Sequence, residues 1–198
     1  MFNNSMEGFV NKFLAFDCET GGTDPKVHSL LTVYFGVYTK DLILTDSLEL
    51  SVKPNDGNYI CSGEALGVNK INLLEHDKVA IGYSKGGYLL REFLSKHSNQ
   101  GCSLLIPIGH NVKFDIDFIT YQLLKSFNHY VSYRTLDTGT IGQFLKLSGL
   151  IPDDNLGGLN ALAKHMGIEI SEESLHNARV DTHLTVDVLR KFKGLVRS

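Results

Sequence analysis

The most informative stretch of this chain is residues 104–115, which read LLIPIGHNVKFD. The apolar residues 104–108 predict a short buried strand, and the polar residues after them predict the start of a helix. In that helix Asp115 shares a face with Phe118 and Ile119, three and four positions on, so its carboxylate is directed toward the core. A buried carboxylate is costly unless it is paired or binds a metal ion. The stretch therefore predicts a strand that delivers an acid to a site.

A plainer interpretation is that Asp115 and Asp117 only complement the positive end of the helix dipole. Asp117 lines up with Thr120 and Tyr121 instead of the apolar face. We therefore expect Asp117 to be the more exposed of the two acids.

Toward the N-terminus, the apolar residues 13–16 lead into Asp17-Cys18-Glu19. Side chains alternate along a strand, so Asp17 and Glu19 point to the same face. Two neighbouring carboxylates repel each other unless a cation lies between them. About 0.6 Asp-x-Glu matches are expected by chance in this composition, so two solvated acids are the alternative. The buried strand and the glycine-rich turn at residues 20–22 favour a site.

Toward the C-terminus, His176 and Asp181 form a His-x-x-x-x-Asp pair at the start of the last helix. Asp181 lies on the apolar side of that helix, and His176 precedes it in a loop. Chance predicts roughly 0.5 such pairs, so the spacing alone decides nothing. His183 and Asp187 are expected to be surface residues.

The remaining pattern predicts an α/β fold, because strands come first and then alternate with helices. Residues 30–38 and 42–52 predict a β-hairpin, and residues 133–136 a last short strand. Helices are expected at residues 88–96, 114–125 and 178–192. No linker divides the sequence, so we expect one domain over residues 1–198, with its core at about 13–192.

Composition excludes several classes of protein. Lys and Arg number 19 and Asp and Glu 22, a formal net charge of −3, which argues against coating nucleic acid by charge alone. No apolar stretch is long enough for a membrane helix, and residues 1–8 do not resemble a secretory signal. Three widely spaced cysteines argue against a disulfide framework or a zinc site. We expect a cytoplasmic protein that does not act at a membrane.

A competing motif lies at residues 82–86, where Gly-Tyr-Ser-Lys-Gly matches the Gly-x-Ser-x-Gly turn of serine hydrolases. That turn needs a strong strand directly before its serine, here Ser84. Residues 76–81 offer at most three apolar side chains. A loop that leads into a helix is the favoured interpretation.

Taken in order, the three blocks resemble the motifs of the DnaQ-like 3′–5′ exonuclease family, in its subgroup with four acids and a histidine. The middle block, His-Asn-x-x-Phe-Asp, is specific, since roughly 0.002 chance matches are expected in this length. Residues 136–138 and 155–159 also resemble the family. The matching motif residues are Asp17 and Glu19, then His110, Asn111, Phe114 and Asp115, and finally His176 and Asp181.

The resemblance implies a ribonuclease-H-like fold with a mixed five-stranded sheet whose second strand is antiparallel. It implies that the four acids hold two Mg²⁺ or Mn²⁺ ions and that His176 is the general base. It also implies that the turn at Thr20 and Gly21 approaches the terminal nucleotide, and that His110 and Asn111 position the strand. The metal ligands implied are Asp17, Glu19, Asp115 and Asp181.

The activity implied is the release of nucleoside 5′-monophosphates from single-stranded 3′ ends, with DNA favoured and an exoribonuclease or oligoribonuclease-like enzyme as the alternative. A DNA polymerase is a candidate partner. Residues 62–69 are similar to phage-encoded members, which suggests a viral source and hence the host cytoplasm. A non-catalytic nucleic-acid-binding module and a serine hydrolase using Ser84 remain as rival classes.

Overall fold

A computed structural model describes residues 12–98, 104–152, 156–170 and 177–196. Its centre is a sheet of six strands in the order β4-β3-β2-β1-β5-β6. The strands are β1 (Phe13–Thr20), β2 (Leu30–Tyr38), β3 (Leu44–Lys53), β4 (Ile81–Gly82), β5 (Ile106–Gly109) and β6 (Leu136–Asp137).

The strand directions follow the predicted pattern. β2 is antiparallel to both β1 and β3, whereas β3–β4, β1–β5 and β5–β6 are parallel pairs. β2 is therefore the one reversed strand among those described. The sheet has one strand more than the five predicted, because β4 extends it beyond β3. β4 is only two residues long, and the few apolar residues around it do not predict a strand.

Helices cover both faces of the sheet. The predicted last helix is confirmed and is three residues longer than expected. The helices are α1 (Gly63–Asn69), α2 (Leu73–Val79), α3 (Tyr83–His97), α4 (Val112–Phe118), α5 (Thr138–Leu147), α6 (Leu159–His165) and α7 (Ala178–Leu195), with a π-helical turn at Ile119–Leu123 and a 3₁₀ turn at Phe127–His129.

Two hydrophobic clusters divide the core between the faces. Leu14 and Phe16 of β1 pack in the cluster that includes α3, α4 and the π turn, while Ala15 packs in the cluster of α5, α6 and α7. Because side chains alternate along a strand, Asp17 and Glu19 share the Ala15 face, which α7 covers. The strand period thus directs both acids toward the last helix.

The predicted helix at 114–125 is shorter than expected and changes form within its length. After α4 the Leu124 N–H donates to the Ile119 carbonyl at 2.8 Å, an i→i−5 bond that closes one π-helical turn. Sequence periodicity does not distinguish this wider turn from a continuous α-helix.

Helix α3 begins at Tyr83, five residues earlier than predicted, although Gly86 and Gly87 lower the helix propensity of this segment. Both glycines are buried against the π turn. A Cβ on Gly87 would lie 2.2 Å from the Leu123 carbonyl oxygen, so only glycine allows this approach. Tertiary packing here overrides local propensity.

We expect Gly87→Ala to lower the free energy of unfolding by about 1–3 kcal/mol, because the added methyl group forces two backbones apart. Gly67→Ala is the matched control, since nothing lies within 4 Å of a Cβ at that position in α1. That control should instead stabilise by up to about 1 kcal/mol. Urea unfolding of both variants measures the difference, and equal stability of the two would contradict the close contact.

Candidate metal centre

Three carboxylates meet where β1 ends under the first turn of α7. One oxygen each of Asp17, Glu19 and Asp181 lies within 4.8 Å of the other two. Asp17 and Glu19 are alternate residues of β1, and Asp181 is the acid in the first turn of α7. The structure thus brings together three of the four predicted ligands, from segments far apart in the sequence.

Burial and mutual repulsion oppose ionisation of these acids. Desolvation, followed by the charges of Asp181 and Asp115, raises the pKa of Glu19 to about 8. Desolvation, followed by the charges of Asp115, Glu19 and Asp181, raises the pKa of Asp17 well above its ordinary value. A divalent cation would offset this repulsion, and an all-oxygen set suits Mg²⁺, Mn²⁺ or Ca²⁺. The residues present therefore fit a hard metal ion.

Asp115 lies beside this group and also accepts a backbone hydrogen bond. Its side chain is buried, as predicted, and its Oδ1 accepts the Cys18 N–H at 2.9 Å. β5 pairs with β1 only as far as Ala15, so this amide has no strand partner on that side. Desolvation raises the pKa of Asp115 to about 7, although the hydrogen bonds from Cys18 oppose the rise. Asp115 is not among the three acids that share the 4.8 Å group.

Of the two acids of α4, Asp115 is buried and Asp117 is the more exposed, as the helix faces predict. Asp117 is partly exposed and forms an ion pair with Lys113 one turn earlier, Nζ to Oδ2 2.5 Å. It plays no part in the acidic cluster. Asp115, which the sequence predicts to be buried, is the acid of α4 that lies next to the cluster.

The turn after β1 uses its polar groups within the protein. Gly21 donates its N–H to the Ser29 carbonyl at 2.7 Å, and Thr20 Oγ1 donates to the Gly22 carbonyl at 2.7 Å. A Cβ on Gly21 would lie 2.5 Å from the Ile60 carbonyl oxygen. Packing against residues 60–61 therefore requires a glycine at position 21. The approach of the Thr20–Gly21 turn to a terminal nucleotide stays a prediction.

His110 and Asn111 organise the start of α4. The Nε2 of His110 lies 3.1 Å from the Gly157 carbonyl, and its Nδ1 lies 3.0 Å from Thr138 Oγ1. Since a carbonyl only accepts, Nε2 carries a hydrogen. Asn111 adopts the left-handed conformation, φ 58°, directly before α4. His110 and Asn111, which the sequence predicts to position a nucleic-acid strand, thus lie in the turn that leads into the helix of Asp115.

His176 lies outside the described residues, so its predicted role as general base stays a prediction. The next residue, Asn177, is described and caps α7, since its side chain accepts the backbone N–H groups of Arg179 and Val180. The cap fixes the first turn, which contains Asp181. The helix start predicted from the sequence is confirmed.

Two residues of α7 that flank Asp181 anchor this turn to the sheet. Arg179 forms an ion pair with Glu49 of β3 and lies over the ring of Tyr34, 5.8 Å from its centroid. His183 contacts Tyr38 Oη at 3.1 Å through Nδ1. The prediction that His183 is a surface residue was wrong, because the tyrosines of β2 partly cover it.

Asp137 is a structural residue that the sequence did not reveal. Its Oδ2 accepts the Val112 N–H at 2.7 Å, and its Oδ1 accepts the Thr140 N–H at 2.9 Å. One carboxylate therefore caps α4 and α5 together and sets where α4 begins. The sequence signals are the family resemblance of residues 136–138 and an acid directly before a helix, which is common at N-caps; neither predicts a cap on two helices.

Ser84 lies exposed in the first turn of α3, where its N–H donates to Asn55 Oδ1 at 3.0 Å. The small cavity beside it, about 150 Å³, has no histidine or carboxylate among its described lining residues. The general base that a serine nucleophile requires is therefore missing from that part of the structure. The serine-hydrolase interpretation gains no support.

A cleft of about 490 Å³ opens beside Glu19. Its walls come from the end of β1, from α1 and from the ring of Phe114, which is half-buried. The Asn69 side chain donates to the Thr20 carbonyl at 3.0 Å and so ties α1 to the strand end. The cleft is thus bounded by polar and aromatic side chains next to one of the clustered acids.

Solved structures share this fold. Exonuclease I of E. coli in its zinc-bound complex with single-stranded DNA superposes with a TM-score of 0.75 at 19% identity, covering 93% of this chain and 41% of that one. Its complex with a dT13 oligonucleotide gives 0.69 at 20% identity, covering 91% and 40%. This chain thus spans about two fifths of exonuclease I.

Relatives match over nearly their whole length. Ribonuclease T of Wigglesworthia glossinidia brevipalpis is 27% identical over 196 residues, or 93% of this chain and 85% of the relative. Ribonuclease T of Blochmanniella pennsylvanica is 28% identical over 195 residues, covering 90% and 84%. These relatives confirm the resemblance to the DnaQ-like 3′–5′ exonuclease family that the motifs indicate.

The solved structures confirm the predicted mixed α/β fold, and the similarity to ribonuclease T and exonuclease I indicates a hydrolytic enzyme. No protein-family model matches the chain. The relatives named here are bacterial, so a viral source gains no support. No helix within the described ranges has the length and apolar character needed to cross a bilayer.

The raised pKa of Glu19 predicts how the metal-free protein responds to pH. The folded protein keeps this proton to higher pH than the unfolded chain, so the stabilising contribution is complete below about pH 4.5 and is lost as pH rises through about 8. We expect the melting temperature in chelator to fall across this range. Added Mg²⁺ or Mn²⁺ should restore it most at the alkaline end.

Glu19→Gln tests the assignment, because it removes the charge and keeps the shape. In chelator at about pH 8 it should melt above the wild type and show a weaker pH dependence. Glu92→Gln, an exposed glutamate of α3, is the control and should follow the wild type. An unchanged slope in Glu19→Gln would assign the pH dependence to other groups.

Proposed function

We propose that this protein is a metal-dependent 3′–5′ exonuclease that releases nucleoside 5′-monophosphates from single-stranded 3′ ends. The observation that carries the proposal is the group Asp17, Glu19 and Asp181, within 4.8 Å and next to a cleft of about 490 Å³. We propose that the whole chain acts as a single catalytic domain in the cytoplasm. The comparisons give no support to a polymerase partner.

The three clustered acids would hold the metal, with Asp115 alongside them, and we retain two Mg²⁺ or Mn²⁺ ions as the proposed set. Bound metal ions supply charge neutralisation at the scissile phosphate and lower the pKa of an attacking water. The raised pKa values of Asp17 and Glu19 support this choice, since both carboxyls gain most from a nearby cation.

The chain's own residues would orient the terminal nucleotide. Phe114 lines the cleft and offers a ring face on which an unpaired base can stack. The hydrogen bond from Asn69 to the Thr20 carbonyl ties α1, which also lines the cleft, to the end of β1. Such stacking requires an unpaired 3′ end, which supports a single-stranded substrate.

DNA is the substrate that the sequence analysis favours, and RNA is the second candidate because the full-length relatives are named ribonuclease T. Matched 5′-labelled DNA and RNA 20-mers, incubated with Mg²⁺, Mn²⁺ or chelator, test both. Products that shorten stepwise from the 3′ end are expected with metal only. Equal cleavage in excess chelator would contradict the proposal.

Asp115→Asn should lower kcat by about 100-fold, because it removes a charge beside the metal ligands. The asparagine Oδ1 can still accept the Cys18 N–H, so the melting temperature should change little. Asp117→Asn is the matched control on the same helix. It loses only an exposed ion pair, worth at most about 1 kcal/mol, and should keep near-normal turnover.

Single-turnover rates on the 20-mer and thermal melts of both variants measure these effects. A greater loss of rate in Asp117→Asn would show that the helix-face assignment is wrong. A collapsed melting temperature in Asp115→Asn would instead make the residue mainly structural.

We propose His176 as the general base, following the motif order. His176→Ala should lose about 10²–10⁴-fold in rate while metal affinity and strand binding persist. The wild-type rate should rise with pH around the usual imidazole pKa of about 6.5, because the neutral ring accepts the proton. Single-turnover rates from about pH 5.5 to 9, with metal titrations, measure both effects.

Loss of metal binding in His176→Ala would make the histidine a ligand or a structural residue. An unchanged rate would remove the histidine-subgroup assignment and leave the acidic cluster standing. His183→Ala is an informative comparison, since this other histidine of the region contacts Tyr38 and should not alter the pH profile of the rate.

A further inference from the structure

A second cavity, of about 670 Å³, opens on the outer side of the loop that follows β1. None of the acids in the metal-binding group lines it, so it is distinct from the cleft beside Glu19. It lies between that loop, the exposed side of α4 and the π turn. Its lining residues are Pro25, Lys26, Ile116, Asp117, Thr120, Tyr121, Lys125 and Asn128.

The charge of this cavity is positive. Lys26 and Lys125 are exposed, and within the described ranges neither ammonium group forms an ion pair. The one carboxylate of the lining, Asp117, is already neutralised by Lys113. Two uncompensated lysines in a chain with a net charge of −3 form a local site for anions.

The same cavity also presents an aromatic ring, that of Tyr121. Tyr121 is 54% exposed, although large aromatic side chains gain free energy from burial. It lies on the π turn, and such turns often occur at functional sites. An accessible ring beside two amines is the combination that binds unpaired bases and their phosphates.

One loop connects this cavity to the catalytic cleft. Gly22, Thr23 and His28 face the cleft, whereas Pro25 and Lys26 face the cavity. The loop is held to the π turn by the Gln122 side chain, which donates to the carbonyls of residues 25 and 28 and accepts the Leu30 N–H at 2.9 Å. The two binding surfaces therefore have a fixed separation.

The separation suits one continuous strand. Phe114 lines the cleft and Tyr121 lines the cavity, and seven residues of helix span about 10 Å. We propose that the cavity formed by Lys26, Tyr121 and Lys125 binds the substrate strand a few nucleotides on the 5′ side of the scissile bond. Tyr121 stacks on an unpaired base, and the lysines contact phosphates. This inference rests on the proposed exonuclease function.

The proposal predicts a dependence on substrate length. A 20-mer spans cleft and cavity, whereas a trinucleotide occupies the cleft alone. Tyr121→Ala should raise KM for the 20-mer about tenfold, with kcat little affected, because stacking is worth about 1–3 kcal/mol per base. The same variant should lose less than twofold on the trinucleotide.

The contribution of the two lysines is measured separately, by how strongly the affinity for single-stranded DNA depends on salt concentration. Fluorescence anisotropy of a labelled single-stranded 20-mer, measured in chelator so that no cleavage occurs, gives affinity without relying on catalysis. The double variant Lys26→Ala/Lys125→Ala should reduce the slope of log affinity against log salt by about 1.4, since each phosphate contact contributes about 0.7.

Matched controls lie elsewhere on the surface. Tyr88→Ala removes a tyrosine of α3 that is 53% exposed, and Lys78→Ala/Lys96→Ala removes two exposed lysines of α2 and α3. Both should bind and cleave as the wild type does. Equal losses on the trinucleotide and the 20-mer, or an unchanged salt slope, would overturn the inference. A wild type that binds the 20-mer with the predicted slope but never shortens it would overturn the exonuclease function and leave this site standing.

Discussion

Repulsion among partly buried carboxylates is the constraint on which this structure depends. Asp17, Glu19 and Asp181 lie within 4.8 Å of one another, and burial raises the pKa of Glu19 to about 8. Such a group would separate if its supports were mobile. β1, paired with strands on both sides, provides one support, and α7 provides the other. The cap by Asn177 and the contacts of Arg179 with the sheet hold α7 in place.

Two further acids show how carboxylates can be divided between chemistry and architecture. Asp115 accepts the Cys18 N–H where β5 no longer pairs with β1, and Asp137 caps two helices with its two oxygens. Asp137 fixes the start of α4, and α4 places Asp115. The position of Asp115 beside the acidic group therefore depends on hydrogen bonds to backbone amides, which an apolar residue could not replace.

Much of this arrangement could be predicted from the sequence, because strand and helix periods report on which face a side chain lies. The helix period places Asp115 and Asp117 on different faces of α4, and the strand period places Glu19 on the face of β1 that the last helix covers. Features set by distant contacts were not predictable. The early start of α3 depends on the close contact of Gly87 with a carbonyl of the π turn, and the partial burial of His183 depends on the tyrosines of β2. No local pattern reports either contact.

The contact between Gly87 and the π turn has a consequence for how the protein can diverge. Helix α3 contributes no acid to the metal-binding group, yet it supports the turn that carries Tyr121 and Gln122. A small change in α3 would shift the surface that carries Tyr121 and leave Asp17, Glu19 and Asp181 where they are. A substitution in this helix can therefore change the shape of the outer surface while the spacing of the three clustered acids stays the same.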